Sequence, residues 1–190
     1  MPTSSRLATL AVSFALVLST VPPLAAQDAK TRTINAGGVS FDVPSSWKSS
    51  TPSSPMRKAQ LKVEPIKGDE DPAELIVFVF PGGAGDVDAN VVRWQKTFKD
   101  KDGNPPKPEV TKAKGKNTDV TRVELAGHYY PTAFPGKAQQ PDKEGYRLVA
   151  AIVITDKAGY FLRLVGPEKT IAAAKPDFDK LIASLNVDEK

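Results

Sequence analysis

A chain of 190 residues without one cysteine has no disulfides, no cysteine-ligated metal and no acceptor for lipoprotein-type acylation. Its 26 basic and 22 acidic residues leave a formal charge of +4. That excess is too small, and too poor in interleaved aromatics, to predict a nucleic-acid-binding surface.

Met1–Ala26 is organised as a secretory signal: Arg6 after a short polar start, an apolar run from Leu7 to Leu18, and a small-residue end at Leu24-Ala25-Ala26. The run of about a dozen apolar residues falls short of the ~20 that span a bilayer, and Pro22-Pro23 follows it. Cleavage after Ala26 is therefore expected, with export to a periplasm or the extracellular space and no stable membrane insertion afterwards. Residues 27–190 are then of a size for one domain with its own core.

Gln27–Lys30 is a polar leader. Thr31–Ile34 and Val39–Val43 are short strand-like runs flanking Asn35-Ala36-Gly37-Gly38, a hairpin turn composition, and Phe41 and Val43 share one face. Pro44-Ser45-Ser46-Trp47 ends the second run, with Trp47 expected to anchor the Ser/Pro-rich loop Ser49–Pro55. From Lys58 to Glu64, Ala59, Leu61 and Val63 alternate with polar residues, which predicts a strand with one wet face. Leu75–Phe80 is apolar on both alternating faces, the mark of a central strand covered on each side.

Asp86 is a candidate N-cap, and Val87, Val91, Trp94 and Phe98 mark the apolar stripe of a helix ending near Asp102-Gly103. Val110–Lys114 reads as an edge strand, its lysines guarding the edge. Thr121, Val123 and Leu125 alternate with Arg122 and Glu124 in the next strand, and Tyr130–Glu144 reads as a long irregular loop. Tyr146–Val187 is the clearest stretch. Two apolar strands flank the turn Asp156-Lys157-Ala158-Gly159, Gly166-Pro167 breaks the chain, and Phe178, Leu181, Ile182 and Leu185 then follow a helical period. Strand-rich, helix, strand-rich, helix is the order, with two long helices available to cover a mostly antiparallel sheet.

Gly38-Val39-Ser40-Phe41-Asp42-Val43-Pro44 with Trp47, the strand-to-helix passage, and Tyr160-Phe161-Leu162-Arg163-Leu164-Val165-Gly166-Pro167 with Phe178 and Ser184-Leu185 resemble the PsbP-type domain. That family includes extrinsic photosystem II proteins, and its fold is shared with a Ran-binding nuclear-import factor. The chain is also similar to uncharacterised exported bacterial proteins of this shape. What the resemblance implies is an α+β fold, an α-β-α sandwich around a mostly antiparallel central sheet, used by binding and assembly proteins. It carries over no metal or partner residue.

No motif nominates a catalytic residue, a metal ligand or a cofactor. Gly82-Gly83-Ala84-Gly85 lacks the Lys-Ser/Thr of a phosphate loop, and Asp86 would repel a phosphate, so a tight turn is expected there. Asp100-Lys101-Asp102-Gly103-Asn104 places its glycine too early for a calcium loop, and Thr111 stands where a bidentate Glu belongs. Asp69-Glu70-Asp71 reads as a solvated turn. His128, the one histidine, has no zinc spacing around it, and no serine sits in a nucleophile elbow. Two roles remain open: an exported non-catalytic binding or assembly module for a protein or envelope component, and an enzyme whose site is assembled from scattered residues. The first is expected.

Its candidate contact residues are His128, Tyr129, Tyr130 and Phe134, in the Gly127–Gly145 connection. A link of about 14 residues exceeds the usual 4 to 6, and tyrosines suit a wet recognition surface. Lys137, Lys143 and Arg147 would steer an acidic partner. The alternative is that Tyr129, Tyr130 and Phe134 fold back over an edge of the core.

Overall fold

The computed structural model describes residues 30–83, 85–131 and 140–188. Met1–Ala26 and Phe134 lie outside them. The hairpin read from the sequence is the middle of the main sheet. Strands β9 (Lys143–Ile154) and β10 (Ala158–Pro167) pair antiparallel from Gly159↔Ile154 to Pro167↔Tyr146. On the β10 side lie β5 (Ala73–Pro81), β4 (Arg57–Val63) and β3 (Lys48–Ser49); on the β9 side lie β8 (Asp119–Tyr129) and then β6 (Phe98–Lys99). A further strand, β7 (Glu109–Lys114), also pairs with β8, exposed and lysine-bearing as an edge strand should be. A second sheet joins β1 (Thr31–Asn35), β2 (Val39–Pro44) and β11 (Asn186–Val187). Every pairing described is antiparallel.

One face of the main sheet is fully roofed. Leu75, Val77, Leu162, Leu164, Val149 and Ala151 point into it because strand side chains alternate, and they pack in one cluster with Ile171, Phe178, Leu181 and Ile182 of helix α2 (Glu168–Ser184) and with Phe41 and Val43 of β2. The stripe of α2 is the predicted one, with Leu185 just past the helix end. Helix α2 opens on Pro167, which has no side-chain cap of its own. Asp69 replaces it from the β4–β5 turn: its Oδ2 accepts from Thr170 N at 2.8 Å and from Thr170 Oγ1 at 2.7 Å. Beside the apolar stripe, Lys175 reaches the buried Glu124 at 2.8 Å, Asp179 reaches Arg122 at 3.0 Å, and Glu168 reaches Arg147 at 2.5 Å.

The opposite face is only partly covered. Its roof is helix α1 (Val87–Gln95), whose N-cap Asp86 accepts from Ala89 N at 2.7 Å as the sequence predicts. The helix stops far earlier than its apolar period suggests. Thr97 turns back onto Trp94, donating to its carbonyl from both N (2.9 Å) and Oγ1 (2.7 Å), and Phe98 enters β6 opposite Tyr129. Close approach of β6 to β8 depends on Gly127, where a Cβ would stand 2.3 Å from the Lys99 carbonyl oxygen. A nine-residue helix is about 14 Å long, whereas the nine residues of β5 run about 30 Å. One long helix and one short one therefore replace the expected two long ones, and among the described residues no helix covers part of the face. Leu75, Val77 and Val79 are buried on the roofed face, while Ile76, Phe78 and Phe80 are only half-buried.

Candidate functional site

The uncovered end of the sheet is a groove of about 860 Å³. Ile76 and Phe78 of β5, Arg163 and Val165 of β10, Tyr146 of β9 and Tyr129 of β8 make its floor. A β-bulge supplies the β4 wall. Pairing shifts between Arg57↔Phe78 and Ala59↔Val77, which swings Arg57 out of the alternation of β4 and puts its guanidinium 5.8 Å from the Phe78 ring centre.

Most polar groups in the groove hold one another. Arg57 donates to Gln60 Oε1 at 3.1 Å and lies 3.8 Å from Glu74, which accepts from Gln60 Nε2 at 2.5 Å. Across the floor, Asp71 Oδ2 accepts from Lys143 Nζ at 2.8 Å and from the Tyr146 hydroxyl at 2.9 Å. Hydrogen bonds from Lys143 and Tyr146 hold the Asp71 carboxyl below the ordinary carboxylate range. Burial, with the Asp71 carboxylate beside it, pushes the Tyr146 phenol up. Asp71 is thus a fixed acceptor at neutral pH and Tyr146 a fixed donor.

Arg163 is different. It sits mid-sheet between Ile76 and the small Ala150, so its long side chain lies over the strands, 5.4 Å from the Trp94 ring. The Tyr129 hydroxyl lies beside the guanidinium, and Nε is buried without a hydrogen-bond partner. Burial pulls its pKa below the ordinary arginine value against the opposing effect of Tyr129. An arginine remains cationic even so.

No family model and no curated relative matches the chain. Among solved structures, the solution structure of cyanobacterial PsbP (CyanoP) from Synechocystis sp. PCC 6803 matches with a TM-score of 0.51 and 15% identity, over 90% of this chain and 98% of that one. The fold is PsbP-like. Two helices and an antiparallel sheet make it the expected α+β sandwich, and at 15% identity the likeness carries the fold alone.

Within this PsbP-like frame the residues nominated from sequence separate. Tyr129 lines the groove, its ring centre 4.9 Å from Phe98 and 5.9 Å from Tyr146. His128 and Tyr130, its chain neighbours, stack on each other at 4.8 Å; His128 Nε2 contacts Asp142 at 2.8 Å and Lys99 lies over Tyr130 at 4.9 Å. Only the ends of the predicted connection are strand: β8 runs to Tyr129 and β9 begins at Lys143, so residues 130–142 belong to neither. Sequence reading missed Arg57, Asp71, Tyr146 and Arg163. An arginine inside the apolar run Tyr160–Val165 was the one visible signal. Among the described residues no group of three or more His, Asp or Glu is placed to hold a metal ion, and no helix is long and apolar enough to cross a membrane.

Proposed function

We propose that this protein is an exported, non-catalytic binding or assembly module, one domain after a cleaved leader, which holds a protein or envelope component in the groove. The open floor carries this reading: half-buried Ile76, Phe78, Tyr129 and Tyr146 form a concave apolar surface beside the short roof of α1. Asp71 and Tyr146 favour binding over proton transfer, because their pKa values move away from neutrality in opposite directions. The candidate residues His128, Tyr129, Tyr130 and Phe134 join the proposal through Tyr129, which lies in the groove. Export rests on the three-part pattern of Met1–Ala26.

Affinity capture from the native envelope fraction tests it, with Ile76→Glu as the groove variant and replacement of Pro131–Asp142 by a Gly-Ser link as a second. A partner kept by the wild type and lost by folded Ile76→Glu supports the groove. Equal retention by Ile76→Glu overturns it, and equal retention by the linked variant removes Phe134 from the contact set.

A further inference from the structure

We infer that the groove receives a polypeptide segment presenting one acidic side chain next to an aromatic one, with Arg163 gripping the carboxylate. This deepens the reading of the groove as a binding site and rests on it. The main sheet carries four arginines. Three have a carboxylate close by: Arg57 at 3.8 Å from Glu74, Arg122 at 3.0 Å from Asp179, and Arg147 at 2.5 Å from Glu168. Arg163, the most central, has none among the described residues, and this sets it apart, because a buried Nε without a hydrogen-bond partner occurs in Arg147 as well. A cation withdrawn from water without a counter-charge costs free energy that the Trp94 ring and the Tyr129 hydroxyl offset only in part. An incoming carboxylate would recover it through the guanidinium fork.

The rest of the lining limits what the anion can be. Lys143 is committed to Asp71 at 2.8 Å, and the Glu74 carboxylate lies beside Arg57 and Gln60. Lys62, also in the lining, lies 3.9 Å from Glu64. Arg163 is therefore the one lining cation with no carboxylate close by among the described residues, and the two carboxylates of the lining suit a monoanion and disfavour a phosphate dianion. Phe78, Tyr129 and Tyr146 offer ring surface on either side of Arg163 for aromatic neighbours. Lining residues come from β4, β5, β10, β9 and β8; five strands span about 19 Å at the ordinary spacing, the length of about five or six extended residues. A single small acid would leave much of that floor bare.

The test uses the secreted protein, 15N-labelled, with the acetylated and amidated pentapeptide Ala-Phe-Glu-Phe-Ala, its Gln-for-Glu twin, and N-acetylphenylalanine as a free small acid. The Glu peptide should shift the Arg163 Nε-H resonance and the Trp94 indole resonance. It should bind at least about tenfold more tightly than the Gln peptide, and Arg163→Gln should erase that preference. Arg163→Lys, which keeps the charge but not the fork, should retain part of it. Equal binding of the Glu and Gln peptides in the groove overturns the acidic specificity and leaves the groove as a binding site. A Glu preference that survives in Arg163→Gln, or no shift of any groove resonance, overturns the inference. N-acetylphenylalanine binding as tightly as the Glu peptide overturns the polypeptide occupant.

Discussion

Trp94 is 4% exposed, and its ring stands edge-on to Phe161 at 6.2 Å while Arg163 lies on it from the groove side. Its place on an apolar stripe announced burial, and burial is what the fold gives it. Trp94→Ala empties that space and removes the platform under Arg163. The expected cost is about 3–5 kcal/mol, read from the urea midpoint; an unshifted midpoint would mean that α1 contributes nothing to the core. Asp69 and Asp71 were harder to read. Consecutive acids in a Gly/Pro-bounded turn look solvated, yet Asp69 caps a helix through Thr170 and Asp71 binds Lys143 and Tyr146. Those partners are 101, 72 and 75 residues away along the chain, beyond the reach of any local pattern.

At the scale of elements, α2 is held by its apolar stripe and by Glu124 beneath Lys175. Glu124 is 6% exposed, and Arg122, Arg147 and Lys175 all converge on it. Burial by itself would raise its pKa, but the bond from Lys175 and the charge of Arg122 outweigh that and hold it below the ordinary glutamate value. A carboxyl with a depressed folded pKa contributes stability above its unfolded pKa and loses it as pH falls through the folded one. Glu124→Gln should therefore cost about 1.5–3 kcal/mol at pH 7. Its difference from the wild type should shrink below about pH 4. Urea titrations of both proteins at the two pH values check this, and a difference that does not change with pH would exclude the ionised carboxylate as the cause. Helix α1 shows where element reading stops. Phe98 satisfies the helical period from Trp94 and is fully buried, but it is buried from a strand.

For the whole molecule, the proposed export is the step to test first. Intact mass of the exported protein should correspond to a chain beginning at Gln27. Retention of Met1–Ala26 in a soluble exported form would refute the leader, whereas a start one or two residues away would only move the cleavage site. One face of the main sheet is roofed by a 17-residue helix and the other by a nine-residue helix. That inequality is what leaves a groove.

Periodicity determined most of the longer strands, the terminal hairpin and the α2 stripe, because each depends on which residues a few places apart must leave water together; the sandwich class came from the resemblance to the PsbP-type domain. Asp86 as N-cap was legible for the same reason: its partner, Ala89, is three residues on. Tertiary structure decided the site. Ile76 and Phe78 have the composition of a doubly covered strand, and only the length of α1 leaves them half-buried among the described residues. Arg57 reaches the groove through a bulge that the clean alternation after it conceals. Arg163 is one cation in an apolar run until the sheet order places it mid-sheet, out of reach of every carboxylate that serves Arg57, Arg122 and Arg147. Whether a charge has a counter-charge depends on which strands become neighbours, and pairing across the sheet is a property of the folded chain.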